Sequence, residues 1–123
     1  MSATSLPVAP SAPLLNPQQL MQMRDLLDAC WREHVVELTD VAVELHALDD
    51  DAPVFERDAV ARRLASIRRR LVDVEAALHR IQSRTYGRCD GCDRRMPFEQ
   101  LELAPDTRYC HSCLSPAAGG AVR

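Results

Sequence analysis

Four cysteines near the end of the 123-residue chain have the types and spacing of a metal site. Cys89 and Cys92 are separated by two residues, seventeen residues follow, and Cys110 and Cys113 repeat the spacing. Two such pairs bring four thiolates tetrahedrally around one Zn²⁺. Four sulfur ligands leave no coordination position open for water or substrate, so we predict one structural Zn²⁺ and a protein that is not an enzyme.

The segment around these cysteines has too few large apolar side chains to offset its chain entropy alone. Between residues 85 and 114 they are Tyr86, Met96, Phe98, Leu101, Leu103, Tyr109 and Leu114. Structural zinc binding contributes on the order of 10 kcal/mol and is coupled to folding. The sequence therefore predicts that residues 85–114 form a small C4 zinc-finger module held together by its metal.

Two coiled-coil helices are predicted to position this module, because apolar residues recur at alternating spacings of four and three. The series are Leu27, Trp31, His34, Leu38, Val41, Leu45 and Leu48, then Val60, Leu64, Ile67, Leu71, Val74, Leu78 and Ile81. Pairing each member of one series with a partner in the other gives a constant position sum of 105, as for 38 with 67. This constancy predicts an antiparallel hairpin whose turn centres between Ala52 and Pro53, with an aspartate capping the second helix.

The charges of the two helices agree with this pairing. Residues 17–51 hold two arginines and nine acids, whereas residues 54–84 hold eight arginines and four acids. The flanks should attract each other, although exposed pairs are individually weak and select register more than they stabilise it.

The predicted fold is all-α: a disordered arm over 1–16, an antiparallel coiled-coil hairpin with an acidic tip over 17–84, the zinc-finger module over 85–114 and a flexible tail over 115–123. The arm is rich in proline and uncharged, which gives it no packable face. Asn16 followed by Pro17 marks the start of the first helix, because asparagine caps free N–H groups and proline suits the first helical position.

Three further residues could take part in chemistry but are expected not to. His34 lies in the apolar seam, where we expect its ring to pack while its nitrogens reach water. Cys30 is some fourteen positions above the base of the hairpin, or about 20 Å, so it should not reach the four cysteines and is expected to pack as a small thiol. His111 lies inside the second cysteine pair and is expected to remain in solvent.

Composition excludes several classes of protein. The net charge is −3, no segment approaches about 18 uninterrupted apolar residues, and the N-terminus has no basic leader. We expect a cytoplasmic monomer with no membrane partner, whose cysteines bind metal and do not form disulfides. A metal-loaded module carries a charge of about −3, and Arg68, Arg69 and Arg70 span nearly a full helical turn, so direct sequence-specific DNA binding is not expected.

Residues 77–113, ALHRIQSRTYGRCDGCDRRMPFEQLELAPDTRYCHSC, resemble the DksA/TraR zinc-finger family. The resemblance lies in Tyr86–Gly87, the cysteine spacing, Leu101 and Pro105, together with the preceding heptad helix. It implies a transcription regulator that binds RNA polymerase, inserts its coiled coil into the secondary channel and brings an acidic tip near the active site. Two alternatives stay open: a zinc-dependent DNA-binding protein and a thiol-based redox sensor.

The family's tip pattern, Asp-x-x-Asp-x-Ala, is matched here only in its second half. Asp50, Asp51 and Ala52 correspond to that half, and Ala47 stands where the first aspartate belongs. Asp49 and Asp51 are candidates to compensate, so the expected tip comprises residues 49–52. The basic positions that the resemblance associates with guanosine tetraphosphate are Asp73, Ala104 and Leu114 here, so no response to that nucleotide is implied.

Overall fold

The structure is a computed structural model that describes residues 12–115. Two long helices, α1 (Pro17–Ala47) and α2 (Val54–Ser83), precede two short ones, α3 (Phe98–Leu103) and α4 (His111–Leu114). Within residues 12–115 the only β pairing is an isolated bridge between Arg88 and Arg95, so the all-α prediction is confirmed. None of the described helices is both long and apolar enough to span a bilayer.

The first helix begins where the sequence predicts. The Asn16 side chain accepts a hydrogen bond from the Gln19 backbone N–H at 2.7 Å, and the Gln19 side chain accepts one from the Asn16 N–H at 2.9 Å. This reciprocal pair satisfies two of the N–H groups that a helix start leaves unpaired. Pro17 occupies the first helical position, where no N–H is needed.

The two heptad series form the seam between α1 and α2, as predicted. Their members are buried or half-buried with one exception, Trp31, which is 37% exposed. The buried residues fall into two groups. An outer cluster holds Val41, Val60, Leu64 and Ile67, and a base cluster holds Met23, Leu27, Val74, Ala77, Tyr86, Cys89, Met96 and Leu101. The base cluster therefore joins the hairpin to the cysteine-containing module.

Side-chain contacts across the hairpin agree with the antiparallel register. The Trp31 indole N–H donates to a Glu75 carboxylate oxygen at 3.1 Å, and Arg63 pairs with Glu44 at 3.2 Å. The position numbers of these pairs sum to 106 and 107, close to the predicted 105. The Arg63–Glu44 pair also joins the basic α2 to the acidic α1, which is the attraction expected from their charges.

The turn lies two residues earlier than predicted. Helix α1 ends at Ala47 and α2 begins at Val54, so the turn centres between Asp50 and Asp51 and not between Ala52 and Pro53. No aspartate caps α2, because Pro53 itself occupies the capping position and makes no side-chain capping bond. Pro53 has a φ of −57° and a ψ of 144°, close to the φ that its ring imposes. The three aspartates lie between the two helices, because α1 already ends at Ala47.

Part of the predicted N-terminal arm packs against the module. The Ala12 N–H donates to the Arg95 carbonyl at 3.0 Å, the Arg95 guanidinium donates back to the Ala12 carbonyl at 2.8 Å, and Leu15 packs on the base cluster. The arm was expected to be disordered because it lacks periodicity, but these bonds form with a distant segment, which local pattern does not reveal. The predictions for residues 1–11 and 116–123 lie outside the described residues.

Candidate metal centre and hairpin tip

The four predicted cysteines come together at the base of the rod. Their sulfur atoms all lie within 4.8 Å of one another. The Cys89 and Cys113 sulfurs are 3.6 Å apart, and those of Cys92 and Cys110 are 3.7 Å apart. Four sulfurs placed tetrahedrally at about 2.3 Å from a Zn²⁺ would be separated by about 3.8 Å. The donor set and its spacing therefore fit one metal ion with four thiolate ligands.

The first cysteine pair is shaped by a tight backbone turn. The Asp93 N–H donates to the Cys89 carbonyl at 2.8 Å, and the Cys89 N–H donates to the Arg94 carbonyl at 2.9 Å. Asp93 has a φ of 64°, a left-handed conformation that aspartate tolerates better than most residues. Asp93 therefore closes this turn without requiring a glycine.

Gly91 is the residue that the site does require to be small. A Cβ built at Gly91 would lie 2.9 Å from the Cys113 sulfur, closer than a carbon and a sulfur can pack. The Gly91 N–H also donates to the Cys89 sulfur at 3.3 Å, and the Cys110 N–H donates to the same sulfur at 3.2 Å. Backbone donors of this kind stabilise negative charge on a thiolate ligand.

The surroundings of the sulfurs shift the pKa values of the metal-free thiols in different directions. The Arg94 guanidinium donates to the Cys92 sulfur at 3.4 Å and lowers the pKa of Cys92 to about 6. Burial opposes ionisation at Cys89, but backbone N–H donors outweigh it and lower the pKa of that thiol. The hydrogen bond with Cys89 raises the pKa of Cys113 to about 12. In the metal-free protein Cys92 and Cys89 therefore ionise more readily than Cys113.

Several contacts hold the module against both long helices. The buried Tyr86 donates its hydroxyl to the Pro105 carbonyl at 2.8 Å, and burial raises the pKa of Tyr86. Arg108 pairs with Asp73 on α2 at 3.5 Å. Further bonds join Arg80 to the Thr107 carbonyl at 3.3 Å and Gln22 to Glu102 at 3.2 Å. These contacts hold the four-cysteine group in place relative to the rod.

The other candidate residues lie outside the four-sulfur group. His111 is exposed, as expected. Cys30 is half-buried and packs against the base cluster, and burial, followed by the charges of Glu33 and Asp106, raises its pKa. Cys30 thus shares the base cluster with the module, and the Arg108–Asp73 pair likewise places part of the module alongside the hairpin. The expectation for His34 was partly wrong, because its Nδ1 is buried and lies 3.6 Å from a Glu37 carboxylate oxygen, just beyond hydrogen-bond distance.

At the opposite end of the rod the acidic turn is exposed and ordered by two bonds. Asp49, Asp50 and Asp51 are exposed and Ala52 is half-buried. The Asp49 carbonyl accepts one bond from the Ala52 N–H at 2.9 Å and another from the Arg57 guanidinium at 2.7 Å. The turn therefore presents its carboxylates from a defined backbone.

An exposed apolar pair beside this turn was missed by the heptad pattern. Val54 is 73% exposed and Phe55 is 76% exposed, and they are the first two residues of α2. Both precede the heptad series that starts at Val60, so the apolar repeat did not include them. The available signal was their position directly after Pro53, at the end of the predicted rod.

Three consecutive arginines lie in the middle of α2. Arg68, Arg69 and Arg70 are all exposed although they are consecutive on the helix, so their side chains leave it in different directions.

Comparisons with known proteins agree with this architecture. No protein-family model matches the chain. The chain is 26% identical over 108 residues to the RNA polymerase-binding transcription factor DksA of Haemophilus influenzae, covering 80% of this chain and 74% of that protein. A 43-residue stretch is 40% identical to an uncharacterized protein of Aquifex aeolicus, covering 35% of this chain and 30% of the other.

The fold is also that of a solved structure. The structure of transcription factor DksA2 from Pseudomonas aeruginosa superposes with a TM-score of 0.77 at 21% sequence identity, over 94% of this chain and 95% of that chain. The predicted resemblance to the DksA/TraR family, based on residues 77–113, is confirmed by these matches and by the clustered cysteines.

Proposed function

We propose, from the similarity to the DksA/TraR family, that this chain is a non-enzymatic transcription regulator that binds RNA polymerase. The observation that carries the proposal is the match to an RNA polymerase-binding transcription factor over 80% of this chain. The match extends well beyond the cysteine-rich segment, so it includes the rod as well as the module.

In this proposal the rod enters the secondary channel of the polymerase and carries the acidic turn toward the active site. Helix α2 has 30 residues and is therefore about 45 Å long, which suits a deep and narrow channel. The four cysteines would hold one Zn²⁺, whose closed ligand set supplies structure and no reactive position. The contacts between module and rod support a role for the module in orienting the hairpin at the channel entrance.

The test is equilibrium binding of the zinc-loaded full chain to purified core RNA polymerase, with duplex DNA assayed in parallel over a series of salt concentrations. The proposal predicts saturable binding to polymerase and no duplex affinity beyond weak, strongly salt-dependent association. Tight duplex binding without polymerase binding would favour the DNA-binding alternative. Loss of polymerase binding on mild oxidation, with zinc release, would add the redox function.

A further inference from the structure

We propose that Val54 and Phe55 form an apolar anchor that seats the tip of the rod in an apolar pocket bordered by cationic groups. The proposal rests on the proposed function, since the pocket is assigned to RNA polymerase. The apolar pair and the acidic turn have different roles in this proposal. The apolar pair supplies binding affinity at the end of the rod, and the carboxylates act on the polymerase after the tip has bound.

Val54 and Phe55 are exposed side by side at the tip. Single exposed apolar residues are common on protein surfaces, but here two adjacent large ones occupy the first turn of α2 with 73% and 76% of their surfaces accessible. The chain contains two phenylalanines. Phe98 packs on the base cluster, whereas Phe55 is left in solvent. A phenyl ring gains about 1.5–3 kcal/mol when it is buried, so the free protein leaves that stabilisation for a partner.

The backbone around the apolar pair is ordered by hydrogen bonds. Arg57, one turn into the same helix, donates to the Asp49 carbonyl at 2.7 Å, and the Ala52 N–H donates to the same oxygen at 2.9 Å. These bonds connect the start of α2 to the acidic turn. Val54 and Phe55 are thus presented from a preorganised apex, and binding through them requires little additional ordering of the backbone.

The negative charge of the tip determines which kind of surface the apolar pair can bind. Asp49, Asp50 and Asp51 are separated from the apolar pair only by Ala52 and Pro53, and all three are exposed. A second copy of the chain docking tip to tip would bring six carboxylates together, and this repulsion disfavours self-association. A pocket with an apolar floor and a cationic border is complementary to both the acidic and the apolar part of the tip.

The experiment compares matched variants of the zinc-loaded full chain in equilibrium binding to immobilised core RNA polymerase. Phe55→Ala should weaken binding by about tenfold or more, because the lost burial of a phenyl ring corresponds to at least one decade in affinity. Phe55→Leu, which keeps an apolar side chain, should bind within about threefold of the parent. Circular dichroism and thermal unfolding should be unchanged in both, since Phe55 is exposed and alanine and leucine favour helix.

A second pair of variants tests whether the loss of binding depends on the position of the apolar side chain along the rod. Val54→Ala and Val72→Ala remove the same atoms from exposed positions of the same helix, one at the tip and one on the shaft. Only Val54→Ala should weaken binding. If Phe55→Ala binds as tightly as a parent that does bind, or if Val72→Ala loses as much affinity as Val54→Ala, the anchor is refuted while the proposed function stands. A parent that does not bind polymerase overturns both.

Self-association provides the remaining outcome. Sedimentation of the parent should show no concentration-dependent dimer that Phe55→Ala abolishes. If such a dimer is found, the apolar pair is an interface between copies of this chain and the proposed pocket is wrong.

Discussion

At Cys92 a single neighbouring side chain changes the chemistry of the ligand. The Arg94 guanidinium contacts the Cys92 sulfur at 3.4 Å and lowers the pKa of this thiol to about 6. A depressed pKa favours folding and metal binding above the ordinary thiol pKa, and that contribution is lost as the pH falls through the lowered value. Arg94 therefore extends the pH range in which Cys92 offers a thiolate.

Replacing this arginine should make the metal easier to displace by acid. In Arg94→Gln the pKa of Cys92 returns toward its ordinary value of 9.0, so protons compete with zinc at a higher pH. We expect the midpoint of zinc release on acidification, followed with a chromophoric chelator, to move to higher pH. Arg88→Gln is the control, because Arg88 contacts Asp93 and no sulfur. Identical midpoints in the two variants would contradict the assigned role.

Removing a ligand should abolish the site. The full chain should contain one zinc per molecule by elemental analysis, and Cys92→Ser should lose it, because three thiolates hold Zn²⁺ much less tightly than four. Residues 85–114 should then become accessible to protease while much of the α1–α2 helicity remains. A Cys92→Ser protein that is free of metal and yet unfolds at the parent's temperature would show that zinc does not stabilise the module.

The grouping of the four cysteines could be predicted from the sequence, because two Cys-x-x-Cys pairs are a local and specific pattern. The residues that support them could not. Gly91 is required by its approach to Cys113, and Tyr86 reaches the Pro105 carbonyl. Both contacts join residues that are distant in the sequence of the module, so no local spacing predicts them.

At the scale of the helices, most of the hairpin could be predicted from the two heptad series. Their members line the seam in the predicted register because apolar burial dominates where two helices face each other. The pattern weakens at the ends of the helices. The turn centre was misplaced by two residues because α1 ends at Ala47, before the three aspartates. Val54 and Phe55 were missed because they precede the second heptad series.

The seam should respond to truncation according to burial. Ile67 is 4% exposed, so Ile67→Ala should lower the free energy of unfolding by about 2–4 kcal/mol. Leu38→Ala, at a half-buried position, should cause a smaller loss, and Val72→Ala, on the outer face of α2, should change stability by less than about 0.5 kcal/mol. Chemical denaturation measures all three. Equal stability of the Ile67→Ala and Val72→Ala proteins would show that the register is wrong.

At the scale of the whole molecule, the base and the tip have separate properties. The base contains the four sulfurs and the contacts that join the module to both helices. The opposite end, about 45 Å away along α2, presents three carboxylates on an ordered turn and two exposed apolar side chains at the start of α2. A rod of this kind can place chemical groups inside a partner while its base remains outside.

The central claim is that the acidic tip acts on RNA polymerase, and transcription in vitro with purified polymerase tests it most directly. Asp50→Asn/Asp51→Asn keeps the size of both side chains and removes two charges, so this variant should fold, bind polymerase and lose the effect of the parent on a responsive promoter. Asp25→Asn/Asp40→Asn removes two exposed charges from the shaft and should regulate as the parent does. The account is contradicted if the tip variant binds polymerase and regulates as well as the parent.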